Sequence, residues 1–248
     1  MKYSPDIEGY TDKYYQVMDS VALDIYTETS LQATKFIDAI AMGAINVNDS
    51  FLMLLTKGYQ FTAMPMIRMM VDNCLVVYAA SIYNDKDVFF RHFIEGKEVN
   101  TLHIGKQALT NRFLMGELDK RFAGVSNLYE ESCTYIHPTS YLYHQVIDEF
   151  DDGTIINNNI NLFTNQGDEE DEFVPTIVDE SDEAELEKMM DDICFANEVL
   201  ITLLEDMADD VRNTKPTSST YREDELSEFN MVTVMKGRQN RSVKVYLH

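Results

Sequence analysis

The sequence predicts a mainly α fold, an up-and-down helical bundle with a small C-terminal β-hairpin, and three observations carry that expectation. Apolar residues recur at three- and four-residue steps over 9–45 and 183–211, the period of a helix with one buried stripe. Residues 50–84 are mostly apolar, as a helix inside a bundle would be. Alternation over 231–235 and 242–247, on either side of Lys236-Gly237-Arg238-Gln239-Asn240-Arg241, reads as two strands joined by a turn.

Taken in order, the first helix covers 9–27, with Tyr10, Tyr14, Val17, Met18, Val21 and Ile25 on one face. Thr29 or Ser30 caps the second, whose apolar face is Ala33, Ile37, Ile40, Ala41, Ala44 and Ile45. Asn48-Asp49-Ser50 reads as a turn and a new cap. As one helix, 50–84 would run ~50 Å at about 1.5 Å per residue. Gly58 and Pro65 interrupt it, and Pro65, which has no N–H, predicts a kink or a fresh start. Asn84-Asp85 caps a short helix bearing Phe89, Phe90 and Phe93. Residues 96–105 read as a connection, and 106–122 return to helical spacing until Gly124. Ser126 caps a helix that ends or bends near His137, because the residue before Pro138 avoids the helical region.

Residues 148–181 lose the helical period, are rich in Asn and Asp, and hold one β-like run at 154–163. The clearest helix follows at 183–211, with Leu186, Met189, Ile193, Ala196, Leu200, Leu203 and Met207 as its seam. In domain terms, 1–147 and 181–212 form one bundle. An acidic Asn-rich insertion with a candidate strand occupies 148–180, and 213–248 is a linker and basic hairpin tail.

With 45% hydrophobic and 25% charged residues, the 248-residue chain is composed like a globular protein. Its net charge of −23 is uneven: 151–211 holds 20 acids against one base, Lys188, whereas 212–248 holds seven bases and four acids. The acidic part repels phosphate backbones, which argues against general nucleic-acid binding there. Asp168-Glu169-Glu170-Asp171-Glu172 lacks the spaced ligands and central glycine of a calcium loop, and reads as a solvated run. Cys74, Cys133 and Cys194 lie far apart, which fits a reducing compartment and neither a disulfide framework nor a CxxC metal site. The N-terminus has no apolar signal core, and the uncharged runs in 50–84 fall short of the ~20 residues a membrane span needs. These features predict a cytoplasmic protein without metal, cofactor or membrane.

In the second half of the 50–84 stretch stand one cation, Arg68, and one anion, Asp72. At i,i+4 they share a helix face. A charge on an apolar helix is costly unless paired, so both are expected at a polar cavity inside the bundle. About sixty residues on comes a second cluster, Tyr129, Ser132, Tyr135, His137, Pro138 and Ser140.

Together the two patterns resemble those of uncharacterised bacterial helical proteins similar to HEPN domains, over roughly residues 30–210. The resemblance implies an up-and-down bundle, often dimeric, with relatives in toxin–antitoxin and phage-defence systems. Active members are metal-independent ribonucleases with an Arg and a His closely spaced on one helix. This chain departs from that motif, because no Arg stands at the required spacing before His137 or His144.

Arg68, Asp72, Ser132 and His137 are therefore the candidate site. In a catalytic reading His137 does acid–base work and Arg68 stabilises an oxyanion or phosphate. In the plainer and preferred reading, Arg68 bridges Asp72 and a histidine or tyrosine on a facing helix. Cys133 and His137, also i,i+4, suit a nucleophile–base or zinc-ligand pair less well than simple packing. The function expected is a non-catalytic or cryptic HEPN-like component of a bacterial defence, toxin–antitoxin or mobile-element system. It would act through a protein partner or as a homodimer, with RNA a less favoured partner. The alternatives are a metal-independent endoribonuclease using Arg68 and His137, and an acidic inhibitor that mimics nucleic acid.

Overall fold

The computed structural model describes residues 5–22, 28–136, 148–149, 155–156, 180–213, 228–236 and 239–246. The protein is mainly α. Among the described residues there are seven α-helices: α1 Pro5–Val21, α2 Glu28–Thr56, α3 Gln60–Ile82, α4 Lys86–Ile94, α5 Asn111–Asp119, α6 Val125–Ile136 and α7 Glu180–Asn213.

Helix α3 is the hub. Ala63, Met64, Ile67, Met70, Val71, Cys74, Leu75 and Val77 are buried on several of its sides, and it packs against α2, α5, α6 and α7. Helix α1 lies against α2 and α7 through Ile7, Tyr10, Tyr14, Val17 and Val21, an alternating three- and four-residue seam. Each seam residue expected in α7, from Leu186 to Met207, is buried. Phe36 of α2 meets Phe89, Phe90 and Phe93 of α4 at centroid distances of 6.1, 5.4 and 5.0 Å, which fastens α4 to the bundle. Asp85 caps α4 as its sequence predicts, accepting from the Val88 N–H at 3.1 Å. Lys86 donates from Nζ to the carbonyls of Ala80 and Ser81, both at 2.6 Å, and so places a cation on the negative end of α3.

Several local expectations are corrected. The turn at Asn48-Asp49-Ser50 does not form. Helix α2 continues to Thr56, and Asn48 is fully buried with its amide paired to Asn197 of α7. The break comes at Gly58, whose φ of 76° suits glycine, and α3 restarts at Gln60, ahead of Pro65. The stretch expected to be helical from 106 begins as a strand. His103–Ile104 pairs antiparallel with Gln107–Ala108 across Gly105 (φ 62°), and α5 follows only at Asn111, capped by Thr110. Ser126 is not the cap of α6. Asp119 accepts from the N–H groups of Ser126 and Gly124 at 2.9 and 3.0 Å, and these bonds hold its carboxyl below the usual range.

The β structure whose side chains are described is thus mid-chain, at His103–Ile104 and Gln107–Ala108, and it lends no support to the expected C-terminal hairpin. The backbone of Glu228–Lys236 pairs antiparallel with Gln239–Tyr246, but the side chains of both strands lie outside the description. Asp148–Glu149 pairs with Ile155–Ile156, and the remainder of the 154–163 run also lies outside it. Helices α2 and α3 are long and apolar enough to cross a membrane by length and composition. In α3, 61% of the apolar window is buried inside the fold, and in α2 44%.

Candidate functional site

Arg68 and Asp72 lie one turn apart on α3, opposite α6. Arg68 is 6% exposed, on the side of α3 that packs against α6. Its Nη2 donates to Asp72 Oδ1 at 2.8 Å and its Nε to Asp72 Oδ2 at 3.1 Å, a two-pronged pairing that fits the planar fork to the carboxylate. The remaining Nη1 donates to Cys133 Sγ on α6 at 2.8 Å. The guanidinium carbon sits 3.7 Å from the ring centroid of Tyr129, also on α6, within cation–π range. Burial works against the charge. Hydrogen bonds to Asp72 and Tyr129, and the Asp72 carboxylate itself, outweigh that and hold Arg68 above its ordinary value.

Asp72 is the wet end of the cluster, with 45% of its side chain exposed against 8% for Arg68. Ser132 is fully buried and does not join it. Its hydroxyl donates to the Tyr129 carbonyl at 2.9 Å, within its own helix. Tyr129 is half-buried, and its hydroxyl accepts from Asn111 Nδ2 of α5 at 3.4 Å. The structure therefore brings together Arg68, Asp72, Tyr129 and Cys133. His137, and with it the Arg68–His137 and Cys133–His137 pairings, lies outside the described residues, as do His144, Tyr141, Tyr143 and Asp168 to Glu172.

A second polar centre was not anticipated. Tyr14 of α1 donates to Asn197 Oδ1 at 2.8 Å. Asn48 Nδ2 donates to the same oxygen at 2.9 Å, and Asn197 Nδ2 donates back to Asn48 Oδ1 at 3.0 Å and to the Ile193 carbonyl at 2.8 Å. All three side chains are fully buried. Burial pushes the Tyr14 hydroxyl far above its ordinary value, so it remains a donor. The sequence signal was there: both asparagines fall at the helical spacing of buried neighbours, Ala44 and Phe51 for Asn48, Ile193 and Leu200 for Asn197.

The described acids of α7 do not form a free row. Lys188 bridges Glu131 of α6 and Asp192, Arg121 meets Asp206 at 2.6 Å, and Arg212 pairs with Asp209. Tyr10 donates to Glu198 at 3.1 Å. Among the described residues no group of three or more His, Cys, Asp or Glu is placed to hold a metal ion. No family model, curated protein or solved structure matches this chain.

Proposed function

We propose that this chain is a helical scaffold that acts through protein contacts, a non-catalytic HEPN-like component of a bacterial defence, toxin–antitoxin or mobile-element system. The observation that carries the non-catalytic reading is the engagement of Arg68. Nε and Nη2 are held by Asp72, Nη1 by the Cys133 sulfur, and one face by the Tyr129 ring. A guanidinium that stabilises a phosphate must present a free fork to it. Here the fork is committed to its own helix and to α6, so the arginine holds two elements together. The pairing of acids on α7 weighs against a nucleic-acid mimic, which needs regularly spaced, uncompensated charge.

Incubating the purified chain with single- and double-stranded RNA in chelator, beside a His137→Ala variant, tests this reading. No cleavage by either protein is expected. Metal-independent cleavage by the wild type that His137→Ala abolishes would replace the scaffold with a ribonuclease.

A further inference from the structure

We infer that the outer face of α2 is a self-complementary docking surface on which a second copy of the chain pairs antiparallel, with the two-fold axis at Met42. The inference deepens the scaffold reading by naming one partner, and rests on that reading for its biological meaning.

Helix α2 is apolar enough to pass for a membrane span, yet less than half of its apolar window is buried. On its outer side Met42 and Met53 are 42% and 60% exposed, Lys35 and Asp49 are exposed, and Leu31 is half-exposed. Lys35 and Asp49 have no partner among the described residues. Their positions mirror one another about Met42. Lys35 lies seven residues before it and Asp49 seven after, while Leu31 lies eleven before and Met53 eleven after. Seven residues keep the same helix face to within about 20° and rise about 10 Å. Antiparallel pairing about Met42 therefore sets Lys35 against the partner's Asp49, and Leu31 against the partner's Met53, twice each by symmetry.

Two other registers conflict. A two-fold at Asn46 sets Lys35 against the partner's Lys57, and parallel pairing sets Lys35 on Lys35 and Asp49 on Asp49. Gly43 adds an independent sign. It sits inside a helix, where glycine is unfavourable, and a Cβ there would meet nothing within 4 Å. Nothing among the described residues requires it, whereas a partner helix crossing beside Met42 would approach that bare backbone.

Sedimentation equilibrium on the full chain, with circular dichroism to confirm folding, tests the pairing. A concentration-dependent dimer is expected. Lys35→Glu and Asp49→Lys should each weaken it about tenfold by setting like charges together, and the double variant Lys35→Glu/Asp49→Lys should restore it. Met42→Glu, which faces its own copy, should abolish it. A wild type that stays monomeric overturns the inference, as does a dimer indifferent to these changes. Co-flotation with lipid vesicles that Met42→Glu abolishes would also overturn it, because lipid would then cover the face. A failed dimer with inert RNA assays leaves the scaffold reading standing. A dimer that cleaves RNA leaves the pairing standing and removes that reading.

Discussion

At the scale of single residues, stability depends on whether each buried polar group is satisfied. Arg68 is, by three partners, and Asp38 is not. Asp38 is half-buried on α2 with no partner among the described residues, and burial pushes its carboxyl up to about 6. The folded chain therefore holds that proton more tightly than the unfolded chain, whose carboxyl titrates near ~3.9. Below about pH 4 both states are protonated and nothing is lost. Between about pH 4 and 6 the unfolded state ionises first, so stability falls as pH rises, and above about pH 6 the loss is complete. Asp38→Asn should thus stabilise the protein by roughly 1–3 kcal/mol at pH 7.5 and leave it nearly unchanged at pH 3. Thermal melts at the two pH values read this directly, and equal gains at both would contradict the origin given to the effect.

At the scale of elements, the long periodic helices were legible and the joints were not. The α7 seam could be read because seven apolar positions in register leave one solution for a buried face. Asn48-Asp49-Ser50 misled because its residues favour turns locally, while a partner 149 positions away decides the matter. The hairpin at 103–108 is two residues per strand, too short for alternation to show, and Gly105 was its one cue. Of the candidate site, the Arg68–Asp72 pairing was readable from i,i+4 spacing, and Tyr129 from its place in the second cluster. The roles of Cys133 and Ser132 were not, since both depend on the rotation of α6 against α3. The Asn48–Asn197 pair makes its own prediction. Asn197→Ala strands the Asn48 amide and the Tyr14 hydroxyl in the core and should cost about 2–4 kcal/mol in denaturant unfolding. Asn48→Leu/Asn197→Leu, which removes both amides, should recover part of that loss. A neutral Asn197→Ala would mean the network does not hold α1, α2 and α7 together.

At the scale of the molecule, α3 is an axle that Asn197, Arg68 and the phenylalanine cluster lock from different sides by way of its neighbours. Helices α1, α2 and α7 are joined by the buried amides, and α4 is joined to α2 by rings. Helix α6, the last described helix before α7, is tied to α3 by Arg68 and to α7 by Lys188. An arginine with that task is a structural anchor. The most direct measurement of that claim is a double-mutant cycle in denaturant unfolding on Arg68→Met, Tyr129→Leu and the pair. An anchor predicts that each single change destabilises the chain and that the two are coupled by about 1 kcal/mol, the cation–π contact being lost only once. Strictly additive effects, or an Arg68→Met protein as stable as the wild type, would show that Arg68 does not hold α6 to the bundle.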